Sequence, residues 1–158
     1  CDPIYIRGDY NNVSGTKPAL VAGDAVNILS NRWSDADSWN RLSSRNAADT
    51  EVNSVVMTGN TETTWGQYNG GLENVLRFLE SWSGRTLQFR GSILCLWEST
   101  TATGPWVYGN NRYHAPNRNW GYDEMYRDPR NAPPGIPYVY GLEALTWQQD
   151  SWAEQERN

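Results

Sequence analysis

For proton transfer the sequence offers one histidine, His114, and a scatter of carboxylates. A hydrolytic triad needs a base, usually histidine, beside an activated serine or cysteine. His114 lies in "RYHAPNRNW" with no serine or cysteine elbow around it, and reads as a structural residue. Carboxylates in pairs are more plentiful: Asp123 with Glu124, Asp128 nearby, and Glu73 and Glu80 upstream. Glycoside hydrolysis would need two of them about 5 Å or about 6.5–9.5 Å apart across a bond. Ordinary pairing with the many arginines is the plainer role. "SDADSWN" sets Asp35 and Asp37 at alternate positions among Ser34, Ser38 and Asn40. Oxygen ligands of that kind suit calcium, although the glycine and final glutamate of an EF-hand loop are missing. A short turn capped by Asp35 is the alternative. Cys1 and Cys95 allow one disulfide, worth roughly 4–5 kcal/mol in the chain-entropy model, or Cys95 in "SILCLW" is a buried thiol. Haem-attachment, zinc-cluster and phosphate-loop patterns are absent from the sequence. The expectation is no catalytic residue, and no cofactor other than calcium.

Binding chemistry is better represented. "GPWVYGNNRYHAPNRNWGY" brings Trp106, Tyr108, Trp120 and Tyr122 together with Asn and Arg. Exposed rings of this kind stack on sugars while amides and guanidinium groups bond hydroxyls. The same rings turned inward would cover a core short of aliphatic residues. Near the other end, "IYIRGDYNN" contains Arg7-Gly8-Asp9, an adhesion signal when it stands on an exposed loop. It also has the form of a strand, Ile4 and Ile6 alternating, that ends in turn formers.

The bulk composition limits the partners. The 158 residues fit one domain, 1–158, divided into a strand and helix core over 1–99 and a Pro/Trp/Tyr-rich arm over 100–158. Trp and Tyr occur nine times each and Phe twice. Mean hydropathy is −0.74, polar for a folded domain, yet disordered chains are poor in aromatics. Net charge is −5 and no basic stripe occurs, so nucleic acid is excluded as an expected partner. No run approaches the roughly 18 apolar residues of a membrane span. The chain opens on Cys1, which reads as a processed terminus or as a piece of a longer protein.

Four segments read as strands: 3–7, 25–29, 52–58 and 86–97, the last with a break near Gly91. One helix is expected over 72–82, where Leu72, Val75, Leu76, Leu79 and Trp82 fall at helical spacing before Gly84. A second, over 18–25, could begin helical and end as a strand. "YIRGD" and "QFRGS" share a strand ending in Arg-Gly, and "AVNIL" and "EVNSVV" share Val-Asn inside a strand. Asparagine is disfavoured in isolated strands, but not where parallel strands stack their amides into ladders. Strands about 22 to 35 residues apart are too distant for hairpins and suit crossovers. The fold class expected is mainly β with one or two helices: an irregular parallel β-helix, solenoid-like, flanked by a long aromatic C-terminal arm. Residues 4–7 should then pair in parallel with another strand, with Gly8 and Gly91 at turns or bulges.

The phrases "DPIYIRGDYNN", "KPALVAGDAVNILSNRW", "VNSVVMTGNTET", "YNGGLENVLRFLESWSGRTLQFRGSILCLWES", "ATGPW" and "APNRNWGYDEMYRDPRNAPPGIP" resemble a domain of bacterial type IV pilus-associated (PilX-like) surface proteins. They run from about residue 2 to about residue 137. The resemblance implies an exported, cell-surface domain with a solenoid-like core and no enzymatic role, and it supplies no site residues. The expected function is a non-enzymatic extracellular structural or adhesion domain, filament-forming through self-association or contact with other pilus subunits. The alternative is a carbohydrate-binding module using the aromatics of the arm.

Overall fold

The computed structural model describes residues 3–59, 75–96 and 114–136. Seven strands form two sheets. β1 (Ile4–Arg7), β3 (Val26–Leu29) and β5 (Arg77–Phe78) make the first sheet, in the order β1-β3-β5. β2 (Leu20–Ala22), β4 (Thr50–Thr58), β6 (Thr86–Cys95) and β7 (Asn117–Tyr122) make the second, in the order β2-β4-β6-β7. Every one of these pairings is parallel. β1 and β2 belong to the first pass of the chain, β3 and β4 to the second, and β5 and β6 to the third. Each pass lays its strands alongside those of the pass before.

The core lies between the inward faces of the two sheets. Ile6, Val26, Ile28 and Phe78 come from the first sheet, and Val21, Val52, Val56, Leu87 and Phe89 from the second. Register aligns them: Ile6 beside Ile28 beside Phe78, and Val52 beside Phe89 beside Trp120. Trp82 is fully buried and meets Phe78 edge-on, 5.4 Å between ring centres. Each such side chain contributes roughly 1.5–3 kcal/mol by leaving water.

The strands expected at 3–7, 25–29 and 52–58 are present, that expected at 86–97 is strand over Thr86–Cys95 with Trp97 outside the described residues, and residues 4–7 pair in parallel with 26–29. Several expectations change. Among the described residues there is no α-helix, only 3-10 turns of three or four residues. Of the segment 72–82, the described part from Val75 forms bends and the short strand β5. Its apolar residues are spaced like a helix because the chain turns a corner there: Val75, Phe78 and Trp82 are buried, and Phe78 is fixed by its place beside Ile28. Tertiary packing has overridden local propensity. Residues 20–22 begin as strand, not helix. β6 runs unbroken through Gly91, whose φ of +155 and lack of Cβ let Ser54 come close. A Cβ there would stand 1.8 Å from the Ser54 carbonyl oxygen. Gly8 does end a strand, at φ +74.

No amide ladder joins Asn27 and Asn53. Asn27 lies beside Tyr5 and Arg77, and Asn53 beside Arg90. Instead each donates to a main-chain oxygen of the preceding pass, Asn27 to Ile4 and Asn53 to Asn11. Part of the expected arm also proves regular. Residues 117–122 add β7 to the second sheet. Residues 124–131 form two turns, capped by the carboxylates of Asp123 and Asp128, which accept from the Met125 and Arg130 amides. From these turns Tyr126 reaches back across the sheet to the first pass. Its hydroxyl bonds the amide and the carbonyl of Ala19, at 3.2 and 3.4 Å. Burial, foremost, raises its pKa above the usual tyrosine value.

Candidate functional site

Between β3 and β4, residues 30–46 leave the sheets and fold over the outward face of the first one. The loop is built from its own polar side chains. Asp35 accepts from the Trp33 indole N–H at 2.7 Å, Asp37 from the Asn40 amide at 2.8 Å, and Arg45 donates to the Ser38 carbonyl at 2.8 Å. Arg7 on β1 holds the loop from below by donating to the Trp33 carbonyl at 2.8 Å. Asp35 and Asp37 thus serve a 3-10 turn at 35–37, and among the described residues no three His, Cys, Asp or Glu side chains gather as a metal site.

Two of the cavities that border this loop have Trp33 and Arg45 in their walls. The larger, about 520 Å³, opens beside the outward side chains of β1: Tyr5, Arg7, Leu29, Leu79, Asp35 and Ser38 complete its wall. Tyr5 is 55% exposed. Leu29 is buried and gives the cleft an apolar patch. Arg7 and Arg45 spend hydrogen bonds on carbonyl oxygens, and neither forms an ion pair among the described residues. The Arg45 Nε is buried without a partner. Since a guanidinium carries five N–H donors, both retain unused bonding capacity.

The smaller cavity, about 260 Å³, is lined by Arg32, Asp37 and Glu80 among others. Asp37 and Glu80 share this cavity, a pairing the sequence did not single out. Glu80 is 1% exposed, and both its oxygens are occupied. Oε2 accepts the Ser30 amide at 2.6 Å and Oε1 the Ser30 hydroxyl at 2.7 Å. Its visible work is to tie the third pass to the second. Two aspartates do the same elsewhere: Asp9 accepts the Glu51 amide at 2.9 Å and Asp49 the Thr86 amide at 2.8 Å. Sequence reasoning missed all three, because each bond joins residues 37 to 50 positions apart.

Arg7-Gly8-Asp9 is built into the stack. Arg7 bonds Trp33, the Gly8 amide donates to the Leu29 carbonyl at 2.7 Å, and Asp9 holds Glu51. His114 has a serine neighbour after all: Ser81 Oγ lies 2.7 Å from its Nδ1, and the Trp82 amide donates to its carbonyl. Ser81 is buried. The groove that His114 borders with Arg41, Leu42 and Ser43 does not include it, so the contact fastens one pass to the next. Of the remaining carboxylates, Glu124 pairs with Arg127 and Asp128 with Arg130. The Arg130 guanidinium lowers the Asp128 pKa.

Among the aromatic candidates, Trp120 faces inward. Phe89 meets it edge-on at 6.0 Å, and the Arg118 guanidinium lies 5.1 Å from its ring centre. Tyr122, by contrast, is 50% exposed. Cys95 ends β6, half-buried. Cys1, Trp106, Tyr108 and Glu73 lie outside the described residues, and with Cys1 the Cys1–Cys95 bridge. No protein-family model, curated protein or solved structure matches this chain.

Proposed function

We propose that this chain is a structural or adhesion domain of the cell surface, a short parallel β-helix that works by contact rather than by catalysis. The observation that carries this reading is the two-track pairing, β1-β3-β5 and β2-β4-β6-β7, which advances one pass at a time. Such a stack ends in strand edges, and an edge must be covered or paired. At the first edge, an excursion separates Tyr10 from β2. Asn11 clips its base by bonding the amide and carbonyl of Lys17 and the carbonyl of Asn53. β7, six residues of mostly exposed side chains, is the longer edge of the second sheet among the described residues. Partner subunits or further copies of this chain would pair there.

Light scattering across a wide concentration range, with and without reductant, tests the reading. Concentration-dependent growth is expected, abolished by Arg118→Pro in β7, because the amides of Asn117 and Asn119 face β6 and that of Arg118 faces the open edge. A single monomeric species throughout would overturn self-association.

A further inference from the structure

We propose that the cleft between the 31–46 loop and the outward face of the first sheet binds a sugar that carries a carboxylate. Arg7 and Arg45 line it without ion-pair partners, in a protein whose net charge is −5. The two cations outnumber the one carboxylate of the wall, Asp35, and so favour a ligand with a single negative group, while the acidic protein as a whole repels a polyanion at long range. Guanidinium groups match carboxylates in a two-pronged geometry.

The rest of the wall suits a pyranose. Tyr5 presents an exposed ring and Leu29 an apolar patch, surfaces on which the C–H face of a sugar packs. Asp35 keeps one carboxylate oxygen beyond its bond to Trp33, and Ser38 contributes a hydroxyl. Both can bond sugar hydroxyls. A volume of about 520 Å³ lies within the usual span of small-ligand sites. This site is separate from Trp106, Tyr108, Trp120 and Tyr122, and it does not depend on self-association.

The test titrates the full chain with cellobiouronic acid, its methyl ester and cellobiose. Acetate, inorganic phosphate and a short peptide with a free C-terminal carboxylate are titrated in parallel. Amide chemical shifts and tryptophan fluorescence are followed, Trp33 being in the wall. The free acid should bind at least ten-fold more tightly than the ester, cellobiose or any of the three parallel ligands. Arg45→Gln should weaken it roughly 10- to 100-fold, the loss of a charged hydrogen bond. Tyr5→Ala, at an exposed position that leaves the fold intact, should weaken it roughly 2- to 10-fold with an unchanged melting point. Equal affinity for acid and ester overturns the proposal. So does tighter binding of phosphate, acetate or the peptide, or a blank titration of the folded protein. A monomeric protein that binds the acid would remove the association reading and leave this one standing.

Discussion

Glu80 offers the sharpest test of how the passes are fastened. Its two oxygens take the amide and hydroxyl of Ser30, at 2.6 and 2.7 Å, and both residues are buried. Glu80→Ala strands two buried donors, at about 1–3 kcal/mol each, and leaves a gap besides. We expect a loss of about 3–5 kcal/mol, a large share of the 5–15 kcal/mol typical of a domain. For a chain of this size that is a fall of roughly 6–20 °C in melting temperature. Glu80→Gln keeps one acceptor oxygen and should cost only about 1–2 kcal/mol. Ser30→Ala removes one donor, and its cost should be smaller when Glu80 is already alanine, with a coupling of about 1–3 kcal/mol. Urea unfolding followed by circular dichroism and by tryptophan fluorescence measures all four proteins. A Glu80→Ala loss below about 1 kcal/mol, or strictly additive mutations, would refute the claim that this carboxylate holds β5 to β3.

The two glycines of the shared Arg-Gly motif should differ. Gly91→Ala drives a methyl group into the Ser54 main chain and should cost about 3 kcal/mol or more, while at Gly8 the obstacle is the mobile Asn31 side chain and the cost is about 1–2 kcal/mol; chemical denaturation compares them. Tyr126→Phe should lose about 1 kcal/mol with the Ala19 bonds. Because burial raises the Tyr126 pKa, its contribution is complete below the ordinary tyrosine pKa of about 10 and fades as pH rises through the higher folded value. The wild type should therefore soften at high pH more than Tyr126→Phe, and parallel pH–stability curves would count against the burial of this hydroxyl. Asp9→Ala should cost about 0.5–2 kcal/mol, as a lost cap does, and surfaces coated with either protein should support integrin-bearing cells equally poorly.

Much of the first sheet was legible before the structure. Ile4 and Ile6, or Val26 and Ile28, alternate inside runs bounded by Gly, Asn and Ser, and their separation rules out hairpins. That is enough to expect parallel strands. β5 was hidden because Val75, Phe78 and Trp82 become inward at a corner, and corners bury residues at intervals that mimic a helical face. β7 was hidden for a different reason: "NRNWGY" has no β-branched residue and takes strand form from the β6 edge beside it, with Trp120 as its inward anchor. The cleft was illegible because its walls come from Tyr5, Arg45 and Leu79, far apart in sequence. Of its lining, Asp35 and Ser38 had been singled out for calcium, Arg7 as part of the Arg-Gly-Asp tripeptide and Leu79 for a helix face, never together.

The fate of Arg7-Gly8-Asp9 shows why a motif cannot be assigned from its letters. Gly8 sits where a Cβ would meet Asn31, Asp9 accepts from Glu51, and Arg7 reaches Trp33. All three answer to the stack, so the tripeptide has no free loop on which to be displayed. Yet Arg7 is not thereby spent. One of its five donors holds the loop that roofs the cleft, and the same side chain lines that cleft. Fastening the first pass to the second and presenting a cation to a ligand are compatible for a guanidinium. Lysine keeps the charge and three donors but lacks the fork that meets a carboxylate with two parallel bonds. Arg7→Lys should therefore leave stability within about 1 kcal/mol while weakening the acidic sugar about ten-fold, and an equal loss of both would mean that Arg7 acts on the ligand only through the loop.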